Sequence, residues 1–178
     1  MEKTAQQALN LFTWGNPSRG DDAIGPVLHE FIKQFICRFD LGHIQLVEDF
    51  QLQPEHVCDI TDNACVVFID ASYQGESPFQ IQPVSAKNEL GYTTHALSPA
   101  ALMAIYAQTQ NKPCPPAFLF SVRGYSFELG APLSKQAQEN ITLATQFLKK
   151  LLSCQNPQLL LQQLVQQTVH NLKDKENA

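Results

Sequence analysis

The sequence predicts an α/β protein: three α/β/α layers around a twisted, mostly parallel five-stranded sheet, with one antiparallel strand at an edge. Three observations carry this reading. Apolar runs of strand length alternate with stretches of helical periodicity along the chain. The segment Cys65–Ile69 (CVVFI) is apolar throughout and rich in β-branched residues, as a central strand covered on both faces must be. The link from Ile69 to Phe79 shows no helical pattern and is shorter than the ~12 residues of a parallel crossover, so the next strand runs antiparallel.

Each element follows in order. A first strand spans Ala8–Trp14 and a helix Ile24–Phe39; a second strand covers His43–Val47, with a short helix at Pro54–Thr61. After Cys65–Ile69 comes the strand Phe79–Val84, then a helix at Pro99–Gln108. Ser98 supplies its capping hydroxyl, and Pro99 sits at the first helical position, where a missing N–H costs nothing. The strand Ala117–Val122 and a helix at Lys135–Leu152, capped by Ser134, complete an α/β unit expected over residues 1–155. Residues 156–178 form a glutamine-rich tail. In it Leu161, Leu164, Val165, Thr168, Val169 and Leu172 recur at helical spacing, which predicts an amphipathic helix that docks on its own domain or on a partner.

Composition narrows the functional classes. With 178 residues, 44% apolar and 16% charged, the chain is long enough to bury roughly 70% of its unfolded surface without disulfide or metal. No apolar run approaches the ~20 residues of a membrane span. The opening MEKTAQQALNLF lacks the apolar core of a secretory signal, so a cytoplasmic protein with no membrane partner is expected. Net charge is −5 and no basic stripe exists, which argues against a nucleic-acid partner. Five scattered cysteines without a C-x-x-C pair read as reduced thiols, each expected to be a buried small hydrophobe.

The chemistry-bearing residues converge on one end of the sheet. If Ala117–Val122 is parallel to the core strands, the helix after Ser98 runs from the top of the sheet to its bottom. His95, just before it, then lies at the strands' carboxyl ends, where open α/β sheets place their sites. The first strand ends in Gly15-Asn16-Pro17-Ser18-Arg19-Gly20-Asp21-Asp22-Ala23-Ile24-Gly25, and the third ends in Asp70. Two carboxylates and an imidazole from three segments suit a divalent ion such as zinc or nickel, and equally suit acid–base work on a peptide. Plainer readings stand beside these. Asp21 or Asp22 caps the following helix, Asp70 is a turn residue, and His95 is solvated. His29, His43, His56 and His170 lie in helix or strand patterns and read as structural.

Arg19 and Arg123 fall on the same rim, where forked guanidinium donors suit a carboxylate of a bound chain; the alternative is internal pairing with Asp21, Asp22 or Glu128. Asn16, Arg19 and Arg123 are the candidate substrate contacts. The first loop is no nucleotide fingerprint. It lacks G-x-G-x-x-G spacing and a P-loop lysine, and it puts two negative charges where phosphate would sit. No G-x-S-x-G or H-E-x-x-H motif occurs.

The loop G15-N-P-S-R-G-D-D-A-I-G25 resembles the G-N-x-x-x-x-D-D/E-G/A-x-G signature of the hydrogenase maturation proteases. Val66–Ala71 (VVFIDA) resembles that family's second acidic motif, Thr93–Ser98 (TTHALS) its histidine motif, and Phe120–Ser134 follows its layout. The resemblance implies a twisted sheet flanked by helices. It also implies an endopeptidase that trims the C-terminus of a [NiFe]-hydrogenase large-subunit precursor after nickel insertion. Asp22, Asp70 and His95 match the residues that contact nickel carried in by the precursor, and they are the expected catalytic and metal-contacting groups. Ala23 stands where glycine is commoner, and the tail after about Gln155 lies outside the match. Two other functions fit the residues: a non-proteolytic nickel-sensing chaperone that binds the precursor, and a plain α/β binding domain.

Overall fold

The computed structural model describes residues 7–62, 64–87 and 97–176, with side chains up to residue 168. The described residues form a five-stranded sheet in the order β2-β1-β3-β5-β4. Its strands are β1 (Leu9–Trp14), β2 (Ile44–Asp49), β3 (Cys65–Ser72), β4 (Phe79–Val84) and β5 (Ala117–Arg123). The pairs β1–β2, β1–β3 and β3–β5 are parallel, and β4 runs antiparallel to β5 at the edge, as the short link before it requires. Pro83 lies in β4 without interrupting a central ladder, a placement only an edge strand permits.

The helices are α1 (Ile24–Phe39), α2 (Pro99–Gln110), α3 (Lys135–Ser153) and α4 (Pro157–Glu176), with 3-10 turns at Gly20–Ala23 and Pro54–Asp59. Both expected hydroxyl caps form: Ser98 Oγ accepts from Ala101 N–H at 3.1 Å, and Ser134 Oγ from Ala137 N–H at 3.2 Å. The strand period of two divides β3 between two cores. Cys65, Val67 and Ile69 pack with Leu28 and Ile32 of α1, Leu148 of α3 and Leu161 of α4. Val66 and Phe68 pack on the other face with Leu102, Met103 and Tyr106 of α2 and with Val57. Because β3 is covered on both faces, all of Cys65–Ile69 is solvent-free. The tail helix docks on its own domain through Leu160, Leu161 and Val165.

Two expectations are corrected. The first turn of α2 does not start at the strands' carboxyl ends. Ser98, Pro99 and Ala100 share a cavity of about 280 Å³ with Gln82–Val84, Lys87 and Leu119, and Lys87 N–H donates to Ala100 O. Leu119 is mid-strand in β5, so α2 begins half-way down the sheet, held by the edge strand that the antiparallel turn places there. The cysteines also differ from the uniform burial expected. Cys65 is buried, Cys114 and Cys154 are partly covered, and Cys37 and Cys58 are exposed, on the outer side of α1 and in the 3-10 turn.

Candidate active site

The strand order reverses at β1: the chain moves outward from β1 to β2, then returns to β3 on the other side. The carboxyl ends of β1 and β3 therefore flank a crevice at the switch point. From β1 the chain enters the Gly15–Gly25 loop, which folds back hard on itself. A Cβ on Gly15 would stand 2.1 Å from the carbonyl oxygen of Asp22, and one on Gly25 would stand 1.9 Å from that of Trp14. No side chain fits at either distance, so glycine is the residue that lets the start of α1 close on the end of β1. The closure brings Asp22 Oδ2 to 3.0 Å from Asn16 N–H, while Asn16 Oδ1 accepts from Ser18 N–H at 2.9 Å.

The two adjacent aspartates do different work, and neither caps a helix. The 3-10 turn and α1 both lack a side-chain cap bond. Asp21 is fully buried, and its carboxylate accepts from Tyr125 N–H at 2.6 Å, Ser126 N–H at 3.0 Å, Ser134 N–H at 2.7 Å and Ser134 Oγ–H at 2.7 Å. Burial works to raise its pKa, but the donors of Ser134, Tyr125 and Ser126 outweigh burial and hold it below the usual carboxylate value. Asp21 thus staples the loop after β5 to the first loop. Asp22, next in sequence, is only partly covered and turns its carboxylate to the rim.

Asp70 comes from β3, on the same face as Val66 and Phe68. The β1–β3 register that pairs Thr13 with Ile69 sets Trp14 beside Asp70, and the Trp14 side chain hydrogen-bonds the Asp70 carboxyl. Trp14 meets Phe68 edge-on, with centroids 6.3 Å apart. Burial pushes the Asp70 carboxyl up to about 7, assisted by the negative charge of Asp22; the bonds from Ala71 N–H and Trp14 oppose the rise. A carboxyl at about 7 exchanges protons near neutrality, so Asp70 can act as acid or base.

The structure therefore brings Asp22 and Asp70 together, near enough for one charge to shift the other. His95 lies outside the described residues. Among the described residues no three His, Cys, Asp or Glu side chains cluster as a metal site. Arg19 and Arg123 reach the rim, but neither pairs with an aspartate or with Glu128. Arg19 Nε donates to Phe127 O at 2.9 Å; Arg123 Nη1 donates to Tyr73 O, and its guanidinium lies 5.3 Å from the Tyr125 ring centre. Two histidines are structural, as expected: His29 Nδ1 bonds Thr13 Oγ1 at 3.0 Å, and His56 Nδ1 accepts from Gln53 N–H at 3.0 Å.

Sequence reasoning missed Trp14 and Ser134 as parts of the site's framework. A signal existed for Trp14, since the residue ending a strand before a glycine-rich loop must border the crevice. None existed for Ser134, whose partner is distant in sequence.

The architecture is an open, doubly wound α/β sheet carrying paired carboxylates at its switch point. No family model and no curated sequence matches the chain. Solved structures do, and most of them are named as hydrogenase maturation proteases or endopeptidases. The chain is similar to the [NiFe] hydrogenase maturation protease HycI from Thermococcus kodakarensis KOD1 (20% identity, TM-score 0.63, 85% of this chain and 96% of that one). It is also similar to the hydrogenase maturating endopeptidase HybD from E. coli (17%, 0.59, 80% and 90%). A third is the [NiFe] hydrogenase maturation protease HybD from Thermococcus kodakarensis (13%, 0.59, 83% and 100%). The chain has the fold of the [NiFe] hydrogenase maturation proteases, so the resemblance seen in three short motifs extends to the whole α/β unit.

Proposed function

We propose that the protein is an endopeptidase of hydrogenase maturation. It acts in the cytoplasm, removing the C-terminal peptide of a [NiFe]-hydrogenase large-subunit precursor once nickel has been inserted. The observation that carries the reading is the Asp22–Asp70 pair at the switch point, in a fold shared with named maturation endopeptidases. No helix among the described residues is long and apolar enough to cross a membrane.

Nickel belongs to the substrate in this reading. Carboxylate oxygens are suitable donors for it. Burial is the main cause of the raised Asp70 pKa, and the smaller share due to the Asp22 charge is what a cation between the two would relieve. His95 is the proposed third contact. Asp22 is oriented by the Asn16 N–H and Asp70 by Trp14, so both present fixed oxygens to an incoming chain. Asp70 takes the proton of an attacking water and returns it to the leaving amine. Asn16, Arg19 and Arg123 border the crevice and contact the substrate chain.

The test is to incubate the protein with nickel-loaded precursor and measure the precursor's intact mass. Loss of a short C-terminal peptide is the expected result. An unchanged mass with co-elution of the two proteins overturns the protease reading in favour of the chaperone.

A further inference from the structure

Exposed large apolar side chains gather beside the carboxylate pair. Tyr73, in the turn directly after β3, is 67% exposed; Tyr125 and Leu129, in the loop after β5, are 44% and 79% exposed. Tyr73 meets Phe127 edge-on with ring centres 6.2 Å apart, and Arg123 ties the two loops together through its bond to Tyr73 O and its position over Tyr125. Phe127 rests on the backbone at Gly124, where a Cβ would come within 2.7 Å of its ring and 2.8 Å of Asp21 Cβ. Beneath it, Asp21 fixes Tyr125 N–H and Ser126 N–H, and Arg19 Nε holds Phe127 O. The surface is therefore prebuilt rather than a loose loop, and it is tied directly to the Gly15–Gly25 loop that carries Asp22.

Exposed aromatics with a guanidinium among them are the residue types that dominate protein interfaces. Rigid anchoring removes the ordering cost of binding. We infer that Tyr73, Arg123, Tyr125, Phe127 and Leu129 form the docking platform for the polypeptide substrate next to the scissile bond. An apolar or aromatic side chain lies against Tyr73 and Phe127, and a carboxylate of the same segment meets Arg123. The identity of the partner rests on the proposed function; the platform itself rests on the geometry.

The experiment uses the full chain and purified nickel-loaded precursor as probe. Dissociation constants are measured on the Asp22→Asn background, where binding is read without cleavage, and KM and kcat on the otherwise wild-type chain. Tyr73→Ala and Leu129→Ser are expected to raise Kd and KM about tenfold each, with kcat unchanged. Tyr73→Phe keeps the ring and should bind as wild type. Phe39→Ala, on the distant end of α1, should also leave binding unchanged. Unaltered Kd and KM in both Tyr73→Ala and Leu129→Ser overturn the platform while leaving the protease reading intact. A precursor that binds, stays uncut and loses affinity with Tyr73→Ala supports the platform and overturns the protease reading. A precursor that neither binds nor is cut overturns both.

Discussion

The buried carboxylate of Asp21 accepts both the backbone N–H and the hydroxyl of Ser134, 113 residues away in sequence, each at 2.7 Å. The same hydroxyl oxygen receives the Ala137 N–H that starts α3. One side chain therefore couples the first loop, the loop after β5 and the N-terminus of α3. The rim around Asp22 is rigid because Asp21 is not on it.

Replacing Asp21 should unfold the protein more readily than replacing Asp22. Asp21→Ala strands three part-buried N–H groups and a hydroxyl, and the expected loss is on the order of 3 kcal/mol in urea denaturation. Its folded pKa is depressed, so its contribution is complete above its ordinary 3.8 and is lost as pH falls through the lower folded value. Acid titration of wild type against Asp21→Asn checks this: the variant should show a flatter stability profile below about pH 4.

Asp70 should behave in the opposite sense. Its folded pKa is raised from 3.8 to about 7, so folding binds a proton across that window and stability declines as pH rises through it. Asp70→Asn removes the penalty of ionisation. The variant should be more stable than wild type at pH 8, by roughly 2 kcal/mol rather than the full ~4 the shift converts to, because part of the side chain meets solvent. The difference should vanish near pH 4. A variant no more stable than wild type at pH 8 would show that Asp70 ionises normally.

Activity should fail where stability does not. Asp22→Asn, Asp70→Asn and His95→Ala are each expected to abolish trimming of the nickel-loaded precursor. The thermal midpoint of Asp22→Asn should stay within a few degrees of wild type and that of Asp70→Asn should match or exceed it, since removing either charge opens no core cavity. Normal trimming by any two of the three would make the trio structural.

Thiol reactivity should follow burial. Burial and the neighbouring Cys154 push the Cys65 thiol up to about 12, while Cys37 and Cys58 stand in solvent. Brief alkylation of the native protein at pH 8 should modify Cys37 and Cys58 first and leave Cys65 unmodified until denaturant is added. Peptide mass mapping reads the outcome, and early labelling of Cys65 would contradict the packing of β3.

The layering, the antiparallel edge strand and the capped starts of α2 and α3 were all legible in the sequence. Each depends on local periodicity, on a link too short for a crossover, or on a hydroxyl placed just before a helix. Spacing left Asp21 and Asp22 open, and only the family resemblance singled out Asp22. The tertiary structure separates the two physically, because the burial of Asp21 depends on N–H groups more than a hundred residues away. It alone set Trp14 beside Asp70, since strand register comes from side-chain packing on both faces of the sheet rather than from either strand by itself. It alone assigned the arginines to loop carbonyls instead of carboxylates, because the loops after β3 and β5 deliver those oxygens first. And it placed the start of α2 at mid-sheet, because a helix docks where its apolar face finds Phe68, Val66 and Val57, and chain direction fixes only which way it runs.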